Sequence, residues 1–169
     1  EKLIEYEGTE AFIAGGGIWP EPYRYDPAVE RRSFFWGRDK TGKLRFYDDY
    51  NNPEGPGYHH EEWYVPARYL REGEAFWSRS YMDPYSYQPM VTVTVPMYRD
   101  SRFYGVSTID LKLEGLQAFL ADVSQAFGGY AFAVDRNGKF LSFPREGLGK
   151  RYGIDAQGNR TEDFLHATE

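Results

Sequence analysis

Cysteine is absent from the chain, histidine is scarce, and basic residues are fewer than acidic ones. The 169 residues include no cysteine and only three histidines, which excludes disulfides and thiolate metal sites. Lysine and arginine number 20 against 26 aspartates and glutamates, so the formal net charge is −6. That acidic balance argues against a nucleic-acid-binding surface. No apolar run approaches the roughly 20 residues that span a bilayer, so no transmembrane segment is predicted within the chain.

Aromatic residues, in contrast, are abundant. Fifteen tyrosines, 12 phenylalanines and four tryptophans make up 18% of the chain, and hydrophobic residues as a whole make up 41%. Tyrosine and tryptophan combine an apolar ring with one polar group, so they suit both a protein core and a half-hydrated pocket. The length suits one domain, or one domain and part of a second.

The middle of the chain predicts a series of antiparallel strands. Residues 33–50 predict a hairpin whose turn runs from Asp39 to Gly42. Residues 88–98 alternate apolar residues with threonine, the period of two that is typical of a sheet with two unlike faces. The Asp100-Ser101 pair then predicts a turn into a further strand over residues 102–113.

Other segments predict helices and loops. Residues 61–70 predict a short helix with two glutamates in its first turn, and residues 113–127 predict an amphipathic helix. Residues 15–27 contain three glycines and three prolines, so they predict a loop in which the glycines form a flexible turn. From Arg145 onward the chain is polar and is predicted to be loosely held. The predicted fold class is α+β, with a central antiparallel sheet of about five to six strands flanked by helices.

Five sequence pieces occur in the order found in one family of receptors. The sequence between about residues 30 and 145 resembles the extracytoplasmic Cache sensor domains of bacterial chemoreceptors, sensor histidine kinases and cyclase-type receptors. The resemblance implies a PAS-like fold, which agrees with the strand pattern. The pieces are FFWGRDKTGKLRFY at 34–47, Trp63-Tyr64 with Ala67, SYMD at 80–83, MVTVTVPM at 90–97 and GVSTIDLKL at 105–113.

The resemblance also suggests how the chain is divided. Residues 129–144, GYAFAVDRNGKFLSFP, are similar to the strand that opens the second module of double Cache receptors. They also echo the hairpin at 36–47, because both read strand, Asp, turn, Gly-Lys, strand. Residues 1–123 would then form a membrane-distal module with a truncated N-terminal helix. Residues 124–169 would begin a second module or form a C-terminal extension.

The resemblance points to a ligand-binding site. In amino-acid-binding members of the family, an arginine two residues before the tryptophan binds the ligand carboxylate, a strand aspartate binds the ammonium group, and tyrosines complete the cage. The arginine position is occupied here by Glu61, which would repel a carboxylate. The predicted ligand-binding residues are Glu61, Trp63, Tyr64, Tyr81, Asp83, Tyr85 and Asp110.

The retained residues favour an amine or a quaternary ammonium compound, bound by acids and aromatic rings. An amino acid or a small organic acid stays possible if Arg31, Arg32 or Arg38 supplies the carboxylate-binding group. The loop over residues 81–89 is predicted to be a lid. No catalytic residue, cofactor or metal site is predicted. The family implies a membrane-anchored parent protein, a periplasmic or extracellular location and a possible homodimer.

Three other interpretations are open at this stage. Asp83 and Asp110 could form the carboxylate pair of a carbohydrate-active enzyme, or the aromatic residues could serve a sugar-binding β-rich module. The domain could also be a structural spacer that binds no ligand, with Asp110 as a structural acid. The acidic and histidine runs at 48–52 and 59–62 match no metal-binding spacing.

Overall fold

The computed structural model describes residues 4, 8–145, 147–158 and 160–168, apart from the side chain of Glu162. The chain divides into two compact units, Glu1–Lys112 and Leu113–Glu169. The boundary expected from the sequence, between residues 123 and 124, stays a prediction. Residues 1–14 are predicted from the sequence as the end of a helix running into a strand; residues 1–3 and 5–7 lie outside the described residues, and a strand begins at Ile13.

The first unit is built on one antiparallel sheet, which confirms the predicted α+β class with a central antiparallel sheet. Its strand order is β3-β2-β1-β7-β6-β4, and β5 also pairs with β6. The sheet has seven strands, and two of them, β4 and β5, are only two residues long. The strands are β1 (Ile13–Pro20), β2 (Phe34–Arg38), β3 (Leu44–Tyr47), β4 (Phe76–Trp77), β5 (Tyr81–Met82), β6 (Pro89–Arg99) and β7 (Arg102–Lys112).

The predicted loop over residues 15–27 is wrong in its first half, because β1 runs through the three glycines. This strand lies between β2 and β7, in the middle of the sheet. A Cβ atom on Gly15 would lie 2.7 Å from the carbonyl oxygen of Trp36, and one on Gly16 would lie 2.5 Å from that of Thr108. The glycines therefore allow both neighbouring strands to approach closely, and they are not a flexible turn.

The β6–β7 hairpin is the longest ladder in the sheet and confirms the period-two prediction. Its turn lies at the predicted place, where Asp100 and Ser101 have φ angles of 50° and 59°. Thr92 pairs with Asp110, and Thr94 pairs with Thr108. Because directly opposed residues of antiparallel strands share one face, these four side chains lie on the same side of the sheet.

An aromatic core covers that face. Trp19 is nearly fully buried, and its ring centroid lies 5.3 Å from that of Phe35, 5.4 Å from Tyr58 and 4.7 Å from Trp63. The helix predicted over 61–70 is a shorter 3₁₀ helix, Val65–Tyr69, with a proline in its first turn. It brings Tyr64 and Ala67 into the same buried cluster.

The second unit begins with α1 (Leu113–Phe127), as predicted. Two hairpins follow, β8 (Ala133–Val134) with β9 (Phe140–Ser142), and β10 (Lys150–Ile154) with β11 (Arg160–Phe164). The second hairpin corrects the expectation of a loosely held tail. Over the described part of the chain, no helix combines the length and apolar character that crossing a membrane requires.

Replacement of Gly16 by alanine tests the close approach of β1 to β7. We expect Gly16→Ala to lower the free energy of unfolding by about 1–3 kcal/mol, because its Cβ would overlap the Thr108 carbonyl group. Gly55→Ala is the control, since a Cβ there meets ordinary contacts of 3.4 Å or more. Urea denaturation measures both. Equal stability of the two variants would contradict the assignment of a tightly packed strand.

Candidate functional site

One cavity of about 280 Å³ lies in the first unit, over the aromatic face of the sheet. Six of the seven residues predicted for the site line it together: Glu61, Trp63, Tyr81, Asp83, Tyr85 and Asp110. Its size suits a small molecule, since it falls just under the roughly 300–1,000 Å³ usual for drug-sized ligands. The lining residues outside that predicted set are Trp19, Phe35, Tyr50, Glu62, Arg79, Pro84, Thr92 and Thr108, of which Pro84 belongs to the predicted lid.

Asp110 is the most deeply buried acid of the cavity, with 7% of its surface exposed. Its Oδ1 accepts a hydrogen bond of 2.7 Å from the Thr92 hydroxyl group, and that hydroxyl is 2.7 Å from the Tyr81 hydroxyl. Because Thr92 donates its one proton to Asp110, Tyr81 is the donor to Thr92. The three side chains form a short relay, while the Asp110 Oδ2 has no hydrogen-bond partner among the described residues.

Burial without a cationic partner changes how Asp110 titrates. Desolvation raises the pKa of Asp110 to about 6, and the Thr92 hydrogen bond opposes this only in part. Asp83 adds to the rise through its negative charge. The carboxylate is therefore charged at neutral pH but incompletely solvated, which is the condition in which a ligand cation gains most from it.

The tyrosine hydroxyl groups around the cavity stay protonated. Burial and the negative charge of Asp110 raise the pKa of Tyr81 far above its usual range. Burial raises the pKa of Tyr50 to about 12, and the nearby charges of Glu61 and Asp110 contribute. These residues therefore act as hydrogen-bond donors and neutral aromatic walls over the whole physiological range of pH.

Asp83 closes a tight turn at the rim of the cavity. Its Oδ2 accepts hydrogen bonds of 2.6 Å from both the backbone N–H and the hydroxyl group of Ser86. Tyr85, on the same turn, donates a hydrogen bond of 3.2 Å to Asp49, and its ring centroid is 4.2 Å from that of Tyr47. The segment predicted as a lid thus contacts β3 and the short 3₁₀ helix Asp49–Asn51 that follows it.

Trp19 forms a wall of the cavity that the sequence reasoning missed. Its indole N–H donates a hydrogen bond of 2.8 Å to the hydroxyl group of Thr108, which also accepts one of 3.1 Å from the Gly17 N–H. Its ring centroid lies 5.2 Å from that of Tyr50. Its acceptor Thr108 lies on β7, outside the threonine alternation of β6, so the sequence held no local signal for this contact.

Tyr64, which the sequence predicts as a ligand-binding residue, is not among the residues that line the cavity. Its side chain is fully buried, and its hydroxyl group donates a hydrogen bond of 2.7 Å to the Glu21 carboxylate. Arg68 forms an ion pair of 2.6 Å with the same carboxylate. Tyr64 is a core residue that holds the 3₁₀ helix against the end of β1, and so positions the neighbouring Trp63.

The arginines suggested as carboxylate-binding groups lie elsewhere. Arg31 donates to the carbonyl groups of Gly55 and Pro53, and Arg38 donates to carbonyl groups that include that of Ile13. Neither these two nor Arg32 is among the described lining residues. An arginine that does line the cavity, Arg79, is exposed; the sequence reasoning did not select it.

Glu61 lines the cavity, and it occupies the position at which the sequence resemblance implied an arginine. Burial raises its pKa, and no hydrogen bond or ion pair to its carboxylate group is found among the described residues. The cavity lining therefore contains four carboxyl groups and one guanidinium group. This electrostatic balance favours cations and disfavours anions.

Comparison with known proteins relates the first unit to bacterial chemoreceptors. The family model described as methyl-accepting chemotaxis protein-like, first PDC sensor domain, matches residues 2–118. Methyl-accepting chemotaxis protein McpC of Bacillus subtilis (strain 168) is 26% identical over 102 residues, which are 60% of this chain and 14% of that protein. The chain thus spans only a small part of the length of this relative.

Solved structures share the fold. Methyl-accepting chemotaxis protein X has a TM-score of 0.65 at 21% identity, over 87% of this chain and 56% of that one. The ligand-binding domain of the Pseudomonas aeruginosa amino acid chemoreceptor PctC, solved with GABA, has a TM-score of 0.52 at 24% identity, over 87% of this chain and 56% of that one. The predicted resemblance to extracytoplasmic Cache sensor domains and the PAS-like fold are confirmed.

The two opposed threonines of β6 and β7 provide a matched test of the Trp19 wall. We expect Thr108→Val to lower the free energy of unfolding by about 1–3 kcal/mol, because it leaves the buried indole N–H without its acceptor. Thr94→Val is expected to be neutral or stabilising, since the Thr94 hydroxyl is buried and has no hydrogen-bond partner in the described part of the chain. Thermal and urea unfolding distinguish the two. A greater loss from Thr94→Val would contradict the description.

The pKa of Asp110 predicts how stability depends on pH. Between pH 4 and pH 6 the folded state keeps a proton on Asp110 that the unfolded state releases, so the free energy of unfolding falls as pH rises through this window. Asp110→Asn removes this contribution. We therefore expect the difference in stability between the native protein and the variant to change by about 2–3 kcal/mol across the window. A difference that is constant with pH would contradict the buried, desolvated carboxylate.

Proposed function

The chain belongs to the family of methyl-accepting chemotaxis protein-like first PDC sensor domains, and from this premise we propose that it senses a small amine bound in the cavity at Asp110. The observation that carries the proposal is the buried Asp110 carboxylate, whose Oδ2 has no partner among the described residues and which lies among aromatic rings. An ammonium group is the simplest ligand group that would donate a hydrogen bond to this oxygen and balance its charge.

The interaction energies expected for an ammonium ligand are sufficient for micromolar binding. A charged hydrogen bond between an ammonium group and a carboxylate contributes about 1.5–3 kcal/mol. Contacts of the cation with the faces of Trp19, Tyr50 or Trp63 add about 0.5–2 kcal/mol each when desolvated. Together with burial of the ligand's carbon atoms, these contributions support affinity near −8 kcal/mol, or about micromolar.

The geometry gives less support to the other interpretations. One oxygen of Asp83 is already occupied by the backbone N–H and hydroxyl group of Ser86, so Asp83 acts as a turn-closing residue rather than as half of a catalytic pair. A structural spacer would have no need of a cavity with a desolvated acid at its base. The family is one of sensor domains, and the proposal includes no catalytic step.

The domain organisation of the parent protein is part of the proposal. The turn at Asp39 and the turn at Asp135 have the same construction: the aspartate Oδ1 accepts N–H bonds from the residues two and four positions later, and the third residue after it is a glycine with positive φ. This repeated hairpin supports assigning residues 124–169 to the start of a second module. A membrane-anchored parent, a periplasmic or extracellular location and a homodimer follow as further parts of the proposal.

Calorimetry with simple amines tests the proposal. We expect n-butylamine or tetramethylammonium to bind the purified protein, with Asp110→Asn weakening the affinity about 10- to 100-fold. Asp48→Asn, which changes an exposed acid outside the cavity, is the control. Binding should also weaken about tenfold between pH 7.5 and pH 5, because protonation of Asp110 removes the charge that the cation needs. Binding of an ordinary α-amino acid that is unaffected by Asp110→Asn would refute the assignment.

A further inference from the structure

The inference that follows rests on the function just proposed. A second carboxylate without a partner among the described residues, that of Glu61, restricts the kind of amine that the cavity would bind. Glu61 lines the same cavity as Asp110, is partly buried, and has no hydrogen bond or ion pair to its carboxylate within the described residues. Asp110 belongs to β7, at the sheet, whereas Glu61 belongs to the segment before the 3₁₀ helix. The cavity thus has an uncompensated negative group on each of two different elements.

Aromatic rings line the same cavity as these two acids. Tyr50, Trp19 and Trp63 are among its lining residues. The ring centroid of Tyr50 is 5.2 Å from that of Trp19 and 6.4 Å from that of Trp63, with edge-to-face geometry in both contacts. Three mutually packed rings give an apolar wall suited to a short hydrocarbon chain.

We propose that the preferred ligand is a linear aliphatic dication of the α,ω-diamine type. One ammonium group binds the Asp110 Oδ2, the other binds the Glu61 carboxylate, and the methylene groups between them lie against Trp19, Tyr50 and Trp63. Each buried acid then gains a hydrogen-bonded counter-charge, which offsets its desolvation. A monoamine can satisfy only one of the two acids.

A zwitterionic amino acid fits this arrangement less well. The arginine available to its carboxylate in the described lining is the exposed Arg79, and the acids Glu61 and Glu62 line the same cavity. With four carboxyl groups and one guanidinium group in the lining, a second positive charge on the ligand gains more than a negative one. The distinction between these two ligand types is chemical and can be measured directly.

The experiment compares unbranched diamines of three to six carbons with monoamines and amino alcohols of the same length, by calorimetry on the purified protein at pH 7.5. The best diamine is expected to bind at least tenfold more tightly than its monoamine and amino alcohol counterparts. Glu61→Gln should abolish that preference, because it weakens binding of the diamine at least tenfold more than binding of the monoamine. Glu54→Gln, an exposed acid outside the cavity, should leave both affinities unchanged.

Each outcome decides one of the two proposals. Equal affinity of the native protein for diamine and monoamine, with dependence on Asp110, would overturn the dication and leave the amine sensor standing. Absence of binding by every amine would overturn the proposed function itself. Tight binding of an α-amino acid that is lost in Arg79→Gln would overturn the dication in favour of a zwitterion. The ligand series on the native protein decides these cases even if the Glu61 variant does not fold.

Discussion

The absence of side chains at Gly15 and Gly17 on the central strand is the constraint on which the site depends. A Cβ at Gly15 would lie 3.2 Å from the Asp110 Oδ2, and one at Gly17 would lie 2.8 Å from the indole ring of Trp19. The two glycines therefore leave room on one face of the sheet for a carboxylate and for a tryptophan ring. The cost is a weaker strand propensity at these positions, which pairing with β2 and β7 on both sides offsets.

That space is organised by polar contacts on a face that is otherwise aromatic. Threonines of β6 and β7 orient the Asp110 carboxylate and the Trp19 indole ring. Thr92 donates a hydrogen bond to Asp110, and Thr108 accepts one from Trp19. The result is a cavity in which the Asp110 carboxylate is desolvated and has no cationic partner among the described residues. A buried carboxylate without a counter-ion makes the folded state less stable than an uncharged core would. Such losses of stability are expected at sites where a protein binds a ligand.

Local sequence patterns were sufficient to predict some strands and helices and insufficient to predict others. The β6–β7 hairpin and α1 were predicted with nearly correct bounds, because threonine alternation and an apolar stripe are strong local signals. Strand β1 was missed because consecutive glycines normally indicate a loop, and only pairing on both edges makes them a strand. Tyr64 follows Trp63 directly, yet it faces the core, and Tyr50 and Arg79 reach the cavity only through tertiary packing.

The central claim is that the Asp110 carboxylate binds the ammonium group of a ligand in an open cavity lined by aromatic rings. A high-resolution crystal structure of the protein grown with a saturating small amine tests it most directly. The account predicts an ammonium nitrogen within about 3.2 Å of the Asp110 Oδ2, with the ligand's carbon atoms against Trp19 and Trp63. A cavity filled by the protein's own side chains, or Asp110 turned toward bulk solvent, would contradict it.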